Sequence, residues 1–355
     1  MSSRTASRFF EDFEVGQVIP HRVGRTIGSG ERSLYIALTG DRYPIHCDDV
    51  CARSLGYSSS PLHDLLIFHV VFGMTVEDIS LNAVANIGYA DVRFLEPVYE
   101  GDTLGAKSVV RGLKENSSGK NGTVYVETRA TNQDGVRVLS FNRWVMVHKR
   151  DTTTSSGVDE RPTLPATVDV ASILHPDFTD DLQWVTDAFL EDYSVGEWLS
   201  DGAGMTLEES EHAMATRLYQ NTAKVHFDSR MMKDTSHGKR LVYGGHVISL
   251  AHSLLYTLIP NVVRIAGWNA GTHTNPTFAG DTLYVTARIL ETEDIDGRSD
   301  LGRARVQLLC IKNASPAELD LKFLDDDASG RPKYPPEVVL DLDYWLILPT
   351  RGAEA

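Results

Sequence analysis

The sequence contains few cysteines. There are three, Cys47, Cys51 and Cys310, an odd number without the spacing of a disulfide framework. His46 lies beside Cys47, but no CxxC pair and no second pair of ligands accompanies them. Free thiols that behave as small apolar groups are therefore a better interpretation than a metal site, and we predict that the protein binds no metal.

Basic residues and long apolar runs are also scarce. The 34 Lys and Arg are outnumbered by 49 Asp and Glu, which gives a formal net charge of −15. Nucleic acids and anionic membranes select basic surfaces, so we expect neither as a partner. No apolar run approaches the length of a membrane span, and the first residues, MSSRTASRFFEDF, lack the apolar core of a signal peptide. We therefore expect a cytoplasmic protein, whose anionic ligands would need only a local cluster of cations.

The composition is that of a globular protein, and the sequence repeats itself. Hydrophobic residues make up 42% and charged residues 23% of a chain long enough for two ordinary domains. Three segments recur in the same order at a nearly constant offset of 179 or 180 residues, which indicates a tandem duplication. The matching segments are FEVGQ at 13–17 with YSVGE at 193–197, YPIHCDD at 43–49 with AKVHFDS at 223–229, and EPVYEGDTL at 96–104 with NPTFAGDTL at 275–283.

Both halves have the same predicted layout: a leading segment, a loop, an apolar helix and then four strands separated by polar turns. The first helix is predicted to begin at Ser60-Pro61, because Ser is a favoured N-cap and Pro a favoured first helical residue. The second ends before Pro260. A surface insertion is predicted over 313–336 and a short helix over 180–188. The predicted strands cover 84–94, 103–113, 123–131, 136–147, 262–274, 282–291, 303–311 and 338–348.

The stretch YIALTGDRYPIH at 35–46 carries the candidate chemistry. A short helix is predicted to end at Gly40, and Pro44 prevents its continuation, so Asp41 and His46 are expected on an irregular loop. There both side chains can converge on one proton, as general acid/base catalysis requires. The alternative is that Asp41 caps a turn and His46 is a buried structural histidine.

This stretch resembles the signature of the MaoC-like (R)-specific enoyl-CoA hydratases. The resemblance rests on Tyr35, Thr39-Gly40-Asp41, Pro44-Ile45-His46 and Ala52. Tyr43 stands where the family has Asn, and we expect it to contact the substrate and to shorten the acyl pocket by its bulk. The resemblance implies that Asp41 and His46 activate the water that adds to an unsaturated acyl-CoA thioester. It also implies the hot dog fold, in which an antiparallel sheet wraps a buried helix. We therefore expect an α+β double hot dog.

The predicted organisation is a first repeat at 1–150, a linker at 151–188 and a second repeat at 189–355. The second repeat is predicted to be catalytically degenerate, since Asn221 stands where the first has Asp41 and cannot take up a proton at neutral pH. Backbone N–H groups at the start of the first long helix, near His63, Asp64 and Leu65, are candidates for binding the thioester oxygen. Alternatively, His63 and Asp64 only cap that helix.

The segment from Ser58 to Leu104 is similar to the mesaconyl-CoA hydratases, which are two-repeat MaoC-like enzymes. This implies reversible hydration of mesaconyl-C1-CoA to β-methylmalyl-CoA, with no cofactor apart from the CoA of the substrate. Arg42 and Arg93 are the candidates for binding the free carboxylate, unless they are solvated surface residues. We expect a homo-oligomer, a dimer of double hot dogs. The alternatives are a general (R)-3-hydroxyacyl-CoA dehydratase, a hot dog thioesterase and a non-catalytic acyl-CoA binding protein.

Overall fold

The structure is a computed structural model that describes residues 7–170, 176–179, 184, 186–324 and 332–354. Most of the short helix predicted over 180–188 and the middle of the insertion predicted over 313–336 lie outside the described residues. The helices of the two halves follow the same order, except that a 3₁₀ turn, Lys224–His226, takes the place of the second helix in the second half. They are α1 (Ser29–Thr39), α2 (Pro44–Cys47), α3 (Asp49–Ser54), α4 (Asp64–Thr75), α5 (Glu209–Leu218), α6 (Ser229–Lys233) and α7 (Gly244–Leu255).

Short helical turns complete the helical structure. A π-helical turn, Val76–Ser80, continues α4. The 3₁₀ turns are Phe10–Asp12, Leu190–Asp192, Lys224–His226, Pro316–Glu318, Leu321–Leu324 and Arg351–Glu354. No helix among the described residues combines the length and the apolar character that crossing a bilayer requires.

Twelve strands of the described part of the chain form one sheet, and all eight predicted strands are among them. The path of the sheet is β1-β3-β4-β5-β2-β9-β12-β11-β10-β7, with β6 beside β3 and β8 beside β10. The strands are β1 (Val18–Thr26), β2 (Ala83–Phe94), β3 (Thr103–Glu115), β4 (Asn121–Thr131), β5 (Arg137–His148), β6 (Asp159–Glu160), β7 (Trp198–Leu199), β8 (Gly204–Thr206), β9 (Arg264–His273), β10 (Thr282–Asp294), β11 (Leu301–Lys312) and β12 (Val338–Pro349).

The strand order of the sheet is symmetric about the pairing of β2 with β9. These strands run antiparallel with Tyr89 opposite Gly271 and Ala90 opposite Ala270, so the two repeats share backbone hydrogen bonds at the centre. On either side, the strands of one repeat follow in the same order outward. Each half-sheet curves around the long helix of its own repeat, which is the double hot dog fold that the sequence predicted.

The long helices are buried on all sides, as their apolar sequences require. Every residue of α4 except Met74 is buried, and every residue of α7 except Gly244. The predicted start of α4 at Ser60-Pro61 is wrong. The helix begins at Asp64, because the His63 side chain accepts a hydrogen bond from the Leu65 N–H and so acts as the N-cap.

Two segments are more ordered than the sequence indicated. The leading segment of the first repeat contains β1, which pairs with β3. The linker adds β6 to the same strand, and Val168 and Val170 are buried in the main core. The repeats therefore share one sheet and one core, and the boundaries at 150 and 188 stay a prediction.

Candidate active site

The first-repeat motif folds largely as its turn residues dictate. Helix α1 ends at Gly40, whose positive φ of 66° is the left-handed conformation that a helix end favours in glycine. Pro44 then starts α2, with Tyr43 as its N-cap. His46 thus lies on a one-turn helix rather than on the irregular loop we expected, because Pro44 is well placed to begin a helix as well as to end one.

Asp41 is buried, with 4% of its surface exposed. Its Oδ1 accepts a hydrogen bond from the Tyr43 N–H at 3.2 Å, whereas Oδ2 has no hydrogen-bond partner. Burial raises the pKa of Asp41, and the neighbouring His46 and the Tyr43 N–H offset only part of that rise. The carboxyl group is therefore poised to hold a proton more readily than an exposed aspartate.

Two histidine rings lie next to Asp41. Nδ1 of His46 is 3.1 Å from the carbonyl oxygen of Pro61, which can only accept, so the neutral ring carries its proton on Nδ1 and leaves Nε2 as an acceptor. His63 has the opposite tautomer, because its Nδ1 accepts from the Leu65 N–H at 3.0 Å. Its Nε2 then faces Asp41 Oδ2 at 3.7 Å. Burial lowers the pKa of His63 well below its ordinary value, so this ring is neutral.

Large side chains from the second repeat close this site. The buried Tyr43 ring stacks on His252 with a centroid distance of 4.8 Å and meets Tyr256 edge-on at 5.2 Å. His252 is held in turn by the Tyr344 hydroxyl, 3.3 Å from its Nδ1. Asp41 and His46 thus both lie beside His63, and packed aromatic rings cover them.

The polar groups at the start of α4 are also bonded within the protein. The Leu65 N–H, one of the candidate donors to a thioester oxygen, is bonded to His63 Nδ1. The Asp64 carboxylate lies 3.5 Å from the buried guanidinium of Arg264, on β9 of the second repeat. Both predicted groups therefore find partners within the protein, as the capping alternative anticipated.

The two arginines nominated for a substrate carboxylate lie outside any enclosed site. Arg42 is exposed and stacks 4.5 Å above the Tyr256 ring. Arg93 Nε donates to Asp91 Oδ1 at 2.8 Å at the partly exposed surface of β2. Arg93 is thus already paired with a carboxylate, whereas Arg42 has only the Tyr256 ring beside it and lies at the exposed surface.

The second repeat presents the corresponding groups around open space. Asn221 Oδ1 accepts from the Ala223 N–H at 3.0 Å, which reproduces the geometry of Asp41. His226 Nδ1 lies 3.0 Å from the Leu241 carbonyl oxygen, so its Nε2 is the free acceptor, as in His46. Burial lowers the pKa of His226 to about 4. The ring is therefore a neutral base at physiological pH.

The helix start in the second repeat is uncapped. Helix α7 begins with Gly244 and Gly245, and no side chain accepts from its first N–H groups. A Cβ on Gly244 would come within 2.6 Å of the His273 ring, so the approach of that ring requires glycine. The first N–H groups of a helix have no partner inside the helix, and they carry the positive end of its dipole.

A cavity of about 630 Å³ lies at this second site. Both repeats line it, and the exposed residues Val84 and Lys224 mark where it reaches solvent. From the second repeat it is lined by Asn221, Ala223, Val225, His226, Tyr243, Gly244, Val247 and His273, and from the first by Phe72, Val76, Ala85, Asn86, Tyr89 and Arg143.

Residue size at equivalent positions explains why one site is open and the other closed. Helices α4 and α7 correspond at an offset of 180, and β2 and β9 at 179. At these offsets most of the side chains that fill the first site have smaller counterparts lining the cavity. The pairs are Tyr43 with Ala223, Asp64 with Gly244, His252 with Phe72, Tyr256 with Val76, and Arg264 with Ala85.

One charged residue of the cavity escaped the sequence analysis. Arg143 is fully buried on β5, with its guanidinium 4.4 Å above the Phe72 ring. Its period-two position between the buried Phe141 and Val145 was a readable signal, because it places a cation on the core face of the strand. His252, which covers the first site, carried no comparable signal, since its role depends on packing between the repeats.

The described residues contain no group of three or more His, Cys, Asp and Glu side chains arranged to hold a metal ion. The three cysteines are free thiols. The exposed Cys47 lies beside Asp41, with its Sγ 3.6 Å from the Asp41 carbonyl oxygen.

Comparison with known proteins gives consistent relatives over the whole chain. The family model described as mesaconyl-CoA hydratase matches residues 1–316. The mesaconyl-CoA hydratase of Cereibacter sphaeroides is 46% identical, covering 97% of this chain and 98% of the relative. The beta-methylmalyl-CoA dehydratase of Chloroflexus aurantiacus is 45% identical, covering 99% of this chain and the whole relative.

Solved structures share the fold. A MaoC domain protein dehydratase from Chloroflexus aurantiacus superposes with a TM-score of 0.93 at 43% identity, covering 99% of this chain and all of the other. A Mycobacterium tuberculosis protein described as having a double hotdog fold superposes with a TM-score of 0.75 at 25% identity, covering 97% of this chain and 99% of the other.

Proposed function

The chain belongs to the mesaconyl-CoA hydratase family, and we propose that it catalyses the reversible addition of water to mesaconyl-C1-CoA to give β-methylmalyl-CoA. The observation that carries the proposal is the identity of 45–46% over nearly the full length of two relatives, one named for each direction of this reaction. The enzyme is thus a hydro-lyase acting on a CoA thioester.

The reaction needs one base, one acid and a site for negative charge. Water loses a proton to the base while its oxygen bonds to C3, and the electron pair of the C2–C3 double bond moves toward the thioester oxygen. The proton is then delivered to C2, so that the elements of water are added without any redox change. Backbone N–H groups at a helix start suit the developing charge. Hydration of this kind requires no metal or redox cofactor, and we propose that none is used.

Each repeat supplies one histidine able to accept this proton. The motif in the sequence favours His46 with Asp41, whose raised pKa suits an acid that must hold a proton. The available space favours His226 with Asn221, because these residues line the cavity. In either site the histidine Nδ1–H is fixed by a backbone carbonyl, which leaves Nε2 to exchange the proton.

We also propose that the enzyme is cytoplasmic and forms a homo-oligomer built from double hot dogs. Two measurements address these points: fractionation of cells for the location, and light scattering of the purified chain for the mass.

Turnover of three thioesters tests the function. We expect kcat/KM for mesaconyl-C1-CoA to exceed that for crotonyl-CoA by orders of magnitude, because a site built for a polar group rejects ligands that leave it unpaired. We expect no turnover of octenoyl-CoA. The loss of enoyl thioester absorbance would be followed together with thiol release. Preference for octenoyl-CoA would indicate a general enoyl-CoA hydratase. Release of free thiol would indicate a thioesterase. No change in absorbance or thiol with any of the thioesters would indicate a binding protein.

A further inference from the structure

We propose that the cavity of the second repeat binds the dicarboxylic acyl group, with the free carboxylate held by Arg143. This inference rests on the proposed function for the identity of the ligand. The cavity itself, and the charge within it, stand on the geometry of the chain alone.

Arg143 is a buried cation without an anionic partner. Its Nη1 donates to Asn86 Oδ1 at 3.3 Å and its Nη2 to Thr75 Oγ1 at 2.9 Å, both neutral acceptors. A weaker contact joins Nη2 to Ser80 Oγ at 3.4 Å. Among the residues that the structure describes, no carboxylate forms an ion pair with this guanidinium, and the titratable side chains that act on it are those of Tyr89 and Tyr243. Buried charges in proteins are normally paired with an opposite charge. We therefore expect a ligand in the cavity to bring the anion that Arg143 lacks.

The polar atoms left without partners around the cavity identify the missing group. Arg143 Nε and Asn86 Nδ2 are buried donors with no hydrogen-bond acceptor, and His273 Nε2 is also unpartnered. All three residues line the same cavity. A set of unpaired donors beside a cation matches an anionic oxygen ligand, and a planar guanidinium is suited to a carboxylate.

The contrast with the first repeat supports this choice. There the buried Arg264 faces Asp64 at 3.5 Å, so its charge is balanced within the protein. At the positions equivalent to Asp64 and Arg264 the cavity has Gly244 and Ala85, which bring no charge. The buried Arg264 is therefore balanced without a ligand, whereas Arg143 has no carboxylate beside it.

The remaining groups of the cavity complete a reaction site. In mesaconyl-C1-CoA the carboxylate is attached to C3, the carbon to which water adds, so a carboxylate on Arg143 places C3 deep in the cavity. His226 Nε2 then takes the proton of the attacking water and returns it to C2, and Asn221 positions that water. The uncapped start of α7 at Gly244 and Gly245 receives the thioester oxygen.

The decisive experiment compares two thioesters that differ only at the charged group. 2-Methylcrotonyl-CoA has a methyl group in place of the carboxylate of mesaconyl-C1-CoA. We expect Arg143→Gln to lower kcat/KM for mesaconyl-C1-CoA by roughly 10²- to 10³-fold, the usual effect of truncating one partner of a buried charge pair. Turnover of 2-methylcrotonyl-CoA should be unchanged or higher. The control Arg129→Gln, a half-exposed arginine on β4, should change neither value.

Binding of a saturated analogue makes the test independent of turnover. Succinyl-CoA carries the carboxylate and cannot be hydrated, whereas butyryl-CoA lacks the charge. Measured by calorimetry, Arg143→Gln should lower the affinity for succinyl-CoA on the order of 10²-fold and leave the affinity for butyryl-CoA unchanged. If that variant fails to fold, Ala223→Tyr, which fills the cavity and keeps Arg143, should abolish succinyl-CoA binding.

The outcomes separate the two proposals. A folded Arg143→Gln enzyme that keeps the preference of the wild type, or an Ala223→Tyr enzyme that still binds succinyl-CoA, would overturn the assignment of the cavity while leaving the hydratase function in place. A wild type that binds succinyl-CoA through Arg143 but turns over neither thioester would leave the binding site standing and contradict the function.

Discussion

At the scale of single residues, the two repeats retain different parts of one site. The first keeps the carboxylate, Asp41, and the second keeps the uncapped glycine helix start. Each keeps its histidine, with Nδ1 bonded to a backbone carbonyl at 3.0–3.1 Å. Since the motif residues alone do not decide which histidine meets the substrate, the assignment depends on which of them borders space large enough for an acyl group.

Substitution of each histidine distinguishes the sites. If the acyl group occupies the cavity, His226→Ala should lower kcat by about 10²- to 10⁴-fold, the usual effect of removing a positioned acid/base group. His46→Ala and Asp41→Asn should then retain most of the turnover. Steady-state rates with mesaconyl-C1-CoA, on variants whose circular dichroism matches the wild type, provide the measurement. Loss of turnover in Asp41→Asn with normal rates in His226→Ala would return the reaction to the predicted pair.

At the scale of secondary-structure elements, equivalent loops in the two repeats border a filled site in one case and an open cavity in the other. The loop after α1 ends in Tyr43, whose ring fills the space between the repeats. The loop after α5 has Ala223 at the same position, and its small side chain borders the cavity. The equivalent loops can thus border either a packed site or an open one, because the side chain at this position and its neighbours from the other repeat together determine how much space is left.

A pair of substitutions on these loops should separate stability from binding. Ala223→Tyr places a ring in empty space, so we expect turnover to fall below detection with little change in melting temperature. Tyr43→Ala leaves a hole in a packed cluster and should cost roughly 3–5 kcal/mol of unfolding free energy, as large aromatic truncations do. Urea denaturation and the hydration assay together measure both effects. A normally active Ala223→Tyr enzyme would show that substrate binds elsewhere.

At the scale of the whole molecule, several histidines are buried in the shared core, and two more, His226 and His273, are half-buried beside the cavity. Burial lowers the pKa of His226 and His273 to about 4 and of His246 and His252 to about 3, and lowers those of His63 and His69 well below the ordinary value. Below the unfolded pKa of about 6.5 the unfolded chain takes up protons that the folded chain cannot. Stability is therefore complete above that pH and falls as the pH drops toward the folded pKa values.

We expect the unfolding free energy to decrease between pH 6.5 and pH 5, each histidine contributing up to about 1.4 kcal/mol per pH unit. Most carboxyl groups titrate below this range, so the histidines dominate it. Urea denaturation at several pH values gives the slope. His246→Met removes a buried ring whose two nitrogens have no partner. It should reduce the slope by the contribution of one titrating histidine, up to about 1.4 kcal/mol per pH unit. A stability that is constant or rises over this range would contradict the prediction.

The sequence by itself determined the repeat, the order of the elements and the family. These depend on local patterns: the alternation in β2 to β5 and its counterpart in β9 to β12, the apolar helices α4 and α7, and glycine at the end of α1. The motif also places Asp41 and His46 on the same short segment, so that both lie beside His63. Such features are readable because they depend on neighbours in the chain.

Only the tertiary structure decided where the cavity lies and which arginine it contains. Free volume is what remains after side chains from both repeats have packed, and Tyr43 fills its site only because His252 and Tyr256 approach from about 200 residues away. Arg143 is unpaired for the same reason, since the absence of a carboxylate around it depends on every strand and helix that encloses it. Long-range packing of this kind leaves no local pattern in the chain, and it alone distinguishes the closed site from the open one.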